Sequence, residues 1–289
     1  MIIVYYPNYL KIHFTLFGNN FENVTIEDRK WGERMIEVHH ETVNNIPYLH
    51  IVKAGEKNKK QPLVMFLHGF TSAKEHNLHF AYSLAEKGIR TLLPEAIYHG
   101  ERQGEMSEKE RTLRFWEIVT TSIKEIDELQ EHFVSQHLVA DDNIGLVGTS
   151  MGGITTFGAL TQYNWIKTAV SLMGTPDYEQ FARLQIDTLK SSGIDIPFKE
   201  EELDVQVKSL EPFDLNKQPQ LLENRPLLIW HGKKDDLVPF DLTNNFYEKL
   251  LDNNNHGEVE FMVEEHTDHK VSREAYLRTV EWFDEQLNK

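Results

Sequence analysis

Cysteine is absent from the 289 residues, which excludes disulfides, thiolate nucleophiles and cysteine-ligated metals together. Long apolar runs are missing too, and nothing approaches the roughly 20 residues that a membrane-spanning helix needs. The opening stretch Met1-Ile2-Ile3-Val4-Tyr5-Tyr6-Pro7 is apolar but has no basic flank, and Pro7, Lys11 and His13 interrupt it. No small-residue cleavage site follows, so no secretory signal is expected and the chain reads as cytoplasmic. Positive charge is scarce: 30 Lys and Arg stand against 46 Asp and Glu, a formal charge of −16. So acidic a surface repels polyanions, and neither nucleic acid nor an anionic membrane is expected as a partner. Low-complexity tracts and internal repeats are also missing.

What is present is a rhythm. Residues 35–43 alternate apolar and polar as a half-buried strand does, Asn44-Asn45 makes a turn, and 46–52 returns as a second strand. Residues 62–67 form a short apolar run ending at His68-Gly69, as a buried parallel strand would. A helix over 77–87 stops at Gly88, a C-terminal cap signal, and 89–93 is the next strand, closed by Pro94. A long helix is predicted over 107–136, with Ile118, Ile123, Ile126, Leu129 and Phe133 on its apolar side. Strands over 144–147, 168–173, 226–230 and 259–263 follow, with helices after Ser150, over 241–251 and over 272–287. Strand alternating with helix predicts an α/β fold, a mostly parallel twisted sheet with helices on both faces.

Two regions break the rhythm. Residues 174–224 are an insertion of roughly 50 residues, too long for a simple crossover. Helical stretches over 178–191 and 199–210, with Phe181, Phe198 and Phe213, suggest a small helical cap over the mouth of the sheet; a longer crossover with one extra helix is the plainer alternative. Residues 1–34 add no strand–helix unit. Trp31-Gly32-Glu33-Arg34 can be spelled by a purine-rich stretch like a ribosome-binding site, and Met35 opens the first convincing strand. Met35 is therefore expected as the first residue and 35–289 as the domain; a genuine N-terminal extension is the alternative.

Chemistry concentrates at Gly148-Thr149-Ser150-Met151-Gly152, between the apolar run Ile144-Gly145-Leu146-Val147 and the small-residue segment from Gly153. This G-x-S-x-G pattern, strand then sharp turn then helix, puts a serine at the apex with glycines where side chains have no room. Serine needs a base to act as a nucleophile, and the base needs an orienting carboxylate. Candidates follow in that order at strand ends: His231-Gly232-Lys233-Lys234-Asp235-Asp236-Leu237-Val238-Pro239, then Glu264-Glu265-His266-Thr267-Asp268-His269. Asp236 competes with Asp235 and His266 with His269. Asp268 is read as a turn residue. The acidic and histidine cluster at 265–269 lacks the i, i+4 spacing of a helical metal site, so no metal and no cofactor are expected. His39 and His40 point to opposite faces of a strand and cannot share a ligand.

With His68-Gly69-Phe70-Thr71-Ser72 after the first parallel strand, these motifs resemble those of the α/β-hydrolase superfamily over about residues 35–289. The likeness is greatest to small bacterial serine esterases of the dienelactone-hydrolase and prolyl-oligopeptidase-like branch. True dienelactone hydrolases use a cysteine, which this chain lacks. The resemblance implies Ser150 as nucleophile, His269 as base and Asp235 as its acid, the spacing to Val238-Pro239 and to the last helix favouring these two over their rivals. It implies an oxyanion hole from the backbone N–H groups of Phe70 and Met151. His68, which would also brace the oxyanion loop, His99, Phe181 and Trp230 are candidate pocket walls, as are Phe198 and Met151. The expected activity is hydrolysis of small carboxylic esters with short acyl groups, through an acyl-enzyme. A prolyl-oligopeptidase-like peptidase, a thioesterase and a non-catalytic binding scaffold are the rivals.

Overall fold

The computed structural model describes residues 2–6, 9–13, 35–194, 196–252 and 257–289. The chain divides into two units, residues 1–35 and 36–289. In the first, β1 (Ile2–Tyr6) and β2 (Tyr9–His13) pair antiparallel as a hairpin. The expectation that the chain begins at Met35 concerns residues mostly outside those described.

The second unit holds an eight-stranded sheet. Its strands are β3 (Ile36–Val43), β4 (Ile46–Lys53), β5 (Gln61–Leu67), β6 (Arg90–Pro94), β7 (Val139–Thr149), β8 (Thr168–Leu172), β9 (Leu227–Gly232) and β10 (Val259–Glu264). Across the sheet they run β10-β9-β8-β7-β5-β6-β4-β3. The six strands from β10 to β6 pair in parallel, while β4 and β3 are antiparallel additions at one edge. This is the α/β-hydrolase fold.

Strand alternation decides which residues meet which helices. In β5, Leu63, Met65 and Leu67 enter a core with α3 (Phe115–Ser135) and α4 (Met151–Gln162), whereas Val64 and Phe66 enter the core on the opposite face with α1 (Leu78–Glu86) and α8 (Arg273–Leu287). Residues apolar on both sides give the continuous hydrophobic runs of a sheet covered on both faces.

The helix expected over 107–136 is two helices, α2 (Glu108–Leu113) and α3, broken at Arg114, where φ is −102° and ψ 12°. No residue of α2 is buried, so packing gives it no reason to continue the axis of α3, whose Ile118, Ile123, Ile126, Leu129 and Phe133 face the core. A Ser107–Glu110 capping box starts α2 independently. Between β8 and β9 lie α5 (Tyr178–Ser191) and α6 (Glu200–Lys208), followed by two short 3-10 turns. Asp177 caps α5 by accepting the Gln180 amide at 3.1 Å. After β9, α7 (Phe240–Asp252) leads to β10.

Candidate active site

Ser150 stands between β7 and α4 with φ 55° and ψ −116°, in backbone space that L-residues rarely occupy. The neighbouring packing explains the two flanking glycines. A Cβ on Gly148 would lie 2.1 Å from the Gly152 carbonyl carbon, and one on Gly152 would lie 2.1 Å from the Leu67 carbonyl oxygen. Backbone meets backbone at both points, so no rotamer change relieves the clash. The Ser150 amide donates to the Leu172 carbonyl at 2.8 Å, tying the turn to β8.

Asp235 follows β9 in a turn and is buried. Its Oδ1 accepts the Leu237 and Val238 amides at 3.0 and 2.9 Å. Its Oδ2 accepts from His269 Nδ1 at 2.6 Å, and His231 Nε2 lies 3.2 Å away. Burial works to raise the carboxyl pKa, but the hydrogen bonds from His231, His269 and the Val238 amide outweigh it and hold the group well below the ordinary carboxylate range. The second ring nitrogen of His269, Nε2, is 2.8 Å from Ser150 Oγ. Serine, imidazole and carboxylate thus form one hydrogen-bonded line across three loops at the carboxyl ends of β7, β9 and β10.

The acid and histidine loops are tied together by backbone. Lys233 and Lys234 amides donate to the Glu264 and Thr267 carbonyls at 2.9 and 3.0 Å. Gly232 permits this approach, since a Cβ there would lie 2.4 Å from the Thr267 carbonyl oxygen. Asp236, His266 and Asp268 are exposed and contribute nothing to the line from Asp235 to Ser150.

The loop after β5 passes beside the serine: a Cβ on Gly69 would be 3.6 Å from Ser150 Cβ. Among the described residues, the Phe70 and Met151 amides donate no hydrogen bond, and Met151 opens α4, whose amino end is electropositive. Both donors are available to an oxygen beside Ser150.

A cavity of about 1400 Å³ opens over Ser150 and His269. Its walls are largely apolar: Phe70 from the β5 loop, Phe115 and Trp116 from α3, Phe181 from α5, and Phe198 and Val207 from the inserted segment. Four of the expected wall residues do not line it. Trp230 is fully buried in the opposite-face core, because in β9 it shares its side with Leu228 rather than with Leu227 and Ile229; its indole N–H donates to Glu264 at 2.9 Å. His68 and His99 are buried beneath the loop after β5, their rings bonded to backbone and, for His68, also 3.1 Å from Glu95 Oε1, rather than facing the cavity. Met151 lies under the elbow, beside a pocket of about 20 Å³.

Sequence reasoning missed two supports. His231 contacts Asp235 and the Val238 carbonyl, the latter at 2.9 Å; its place four residues before the acid was the available signal. Glu264 accepts from Trp230, Thr267 and the Ser272 hydroxyl, joining the end of β10 to the start of α8, and nothing in the local sequence marks it.

A family model described as the prolyl oligopeptidase family matches residues 119–289. The chain is 51% identical over 255 residues to YitV of Bacillus subtilis (strain 168), an esterase by name, covering 88% of this chain and all of that one. It is 29% identical over 254 residues to Esterase YjfP of Escherichia coli (strain K12), with 88% of this chain and all of that one covered. Among solved structures, TT1662 from Thermus thermophilus matches with a TM-score of 0.69 at 19% identity, over 88% of this chain and 99% of that one. Fold, family model and relatives agree: the chain is a hydrolase and belongs to the prolyl oligopeptidase family.

Proposed function

We propose that the protein is a carboxylic-ester hydrolase working through an acyl-enzyme on Ser150. What supports this reading is the unbroken hydrogen-bonded line from Asp235 through His269 to Ser150 at the floor of a cavity. In this mechanism His269 Nε2 takes the Ser150 proton as Oγ attacks the ester carbonyl, and the carbonyl oxygen becomes an oxyanion. Backbone N–H groups of Phe70 and Met151 stabilise that charge where it develops; losing one such donor typically costs roughly 100- to 1000-fold in rate. The imidazolium then protonates the departing alcohol, and a water molecule repeats the sequence to release the acid. Asp235 holds the Nδ1–H tautomer and stabilises the imidazolium.

Short acyl groups are the expected substrates, with small-molecule esters as the partner class. The cavity exceeds the roughly 300–1000 Å³ usual for small-molecule pockets, so space alone does not impose a short chain, and its apolar walls favour an uncharged ester. Peptide hydrolysis is the second reading, favoured by the family model's description.

Turnover of p-nitrophenyl esters from acetate to decanoate, wild type beside Ser150→Ala, tests the proposal. Hydrolysis that includes the short chains and is lost by several orders of magnitude in the variant is the expected result. Folded protein that labels with a fluorophosphonate yet cleaves no ester would overturn the esterase reading and leave a peptidase or a thioesterase. Protein that neither cleaves nor labels would overturn the assignment of Ser150 as well.

A further inference from the structure

Two buried histidines outside the Ser150–His269–Asp235 line converge on the loop that carries the Phe70 amide. His68 Nδ1 lies 2.8 Å from the Gly69 carbonyl oxygen, which can only accept from it, and its Nε2 lies 3.1 Å from both the Ala96 amide and Glu95 Oε1. His99 arrives from the loop after β6, with Nε2 at 2.5 Å from the Phe70 carbonyl oxygen and Nδ1 at 2.8 Å from that of Ile97. The two imidazoles pack edge to face at 5.1 Å, and His99 meets the Phe70 ring in the same manner at 5.6 Å.

A peptide unit is planar, so holding its carbonyl fixes the direction of its N–H. The Gly69 carbonyl and the Phe70 amide share one peptide unit, and the Phe70 carbonyl begins the next. The bonds from His68 and His99 therefore fix the planes on both sides of the Phe70 Cα. We propose that His99 is a positioning residue for the oxyanion hole, clamping the Phe70 carbonyl so that, with His68, the Phe70 amide stays aimed at the reacting oxygen. This rests on the reading of Ser150 and the two amides given above.

The ring's proton follows from the contacts. Carbonyl oxygens only accept, so an imidazolium alone would satisfy both Phe70 and Ile97. Burial pushes the His99 pKa down, and the proposal assigns the donor to the shorter contact, Nε2 to the Phe70 carbonyl.

The loop that presents His99 is itself held firmly. Tyr98 and Gly100, on either side, have φ of 63° and 45°. A Cβ on Gly100 would lie 2.0 Å from Glu95 Oε2. Glu95 is wholly buried and accepts from Lys74 Nζ at 3.0 Å and the Lys74 amide at 3.3 Å. Arg102 donates to the Glu95 carbonyl at 2.8 Å and grips Glu125 with two bonds of 2.8 and 2.6 Å.

Positional rescue tests the assignment. A glutamine amide can place a donor where Nε2 stands, and an asparagine amide where Nδ1 stands. His99→Asn is expected to lower kcat on p-nitrophenyl acetate about 10- to 100-fold, less than outright loss of an oxyanion donor, with KM within about twofold. Affinity for an alkylboronic acid, which Ser150 Oγ converts to a tetrahedral anion, should fall in parallel, and His99→Gln should recover most of both. His68 should show the reverse order, Asn recovering and Gln not, which supplies a second pair of variants where one at 99 does not fold. Equal activity of the Asn and Gln variants at matched melting temperature, or a loss confined to KM, would overturn the proposal. Ser150→Ala in the same series separates this from failure of the site reading itself, since that failure would leave its turnover intact.

Discussion

Asp235→Asn changes one atom at the centre of the site, and the structure dictates how the new amide must sit. Oδ1 of Asp235 accepts two backbone amides, from Leu237 and Val238. An asparagine must present its own oxygen there, because an NH₂ group facing two N–H donors would leave both unsatisfied, at about 1–3 kcal/mol each. The NH₂ then faces His269 Nδ1, where the carboxylate now accepts at 2.6 Å. His269 can answer only by accepting at Nδ1, which moves its proton to Nε2, the nitrogen 2.8 Å from Ser150 Oγ. A protonated Nε2 cannot take the serine's proton. The expected loss in kcat is roughly 10,000-fold, about 5 kcal/mol of transition-state stabilisation, with KM nearly unchanged. Burst-calibrated p-nitrophenyl acetate hydrolysis measures it, and the rate of fluorophosphonate labelling should fall alongside. Asp236→Asn, at an exposed position, should remain within about twofold of wild type. A loss below tenfold for Asp235→Asn, or equal losses for the two variants, would refute the reasoning.

Three further outcomes are expected. Gly152→Ala drives a methyl group into the Leu67 backbone, and thermal denaturation should show a protein destabilised by more than 3 kcal/mol or insoluble; a native melting temperature would show that the elbow yields. For Glu95, burial would raise the pKa, but the contacts with His68 and Lys74 hold it at about 2 against an ordinary 4.5. Because the folded-state value is the lower one, the stabilisation is complete above pH 4.5 and is lost as pH falls toward 2, about 3 kcal/mol in all; urea titrations of wild type and Glu95→Gln across that window should converge at the acid end. Finally, translation is proposed to begin at Met35, as the purine-rich codons available to residues 31–34 suggest. Intact mass of natively expressed protein decides it, and a mass that includes residues 1–34 sinks the idea.

The parts of the fold that local periodicity controls were legible in the sequence. The period of two in 35–43, the apolar runs of the parallel strands and the 3.6-residue stripe of 118–133 each report one element's own burial. The end of α2 at Arg114 was not, because the helical pattern runs through it. The break follows from what the flanking residues meet elsewhere, with Phe115 against Phe70 at 5.6 Å and Trp116 against Tyr178 at 4.8 Å. The places of Ser150, Asp235 and His269 were legible for a different reason: each falls within a few residues of a parallel strand's carboxyl end, and the topology gathers those ends into one crevice.

The pocket walls divide along the same line. Trp230 could have been placed correctly, since alternation along β9 already puts it on the side of Leu228, away from Ile229. His99 could not. Its sequence context, Tyr98-His99-Gly100, fits a plain turn, and only the fold brings its ring 2.5 Å from a carbonyl 29 residues earlier. The residues proposed to do chemistry sit where the sheet must put them, whereas those proposed to aim them arrive from whichever loop is near. A sequence motif therefore reports the first kind well. The second kind becomes visible once buried rings are followed to the carbonyls they hold, and it is there that rate differences between chains sharing one set of reacting side chains are expected to arise.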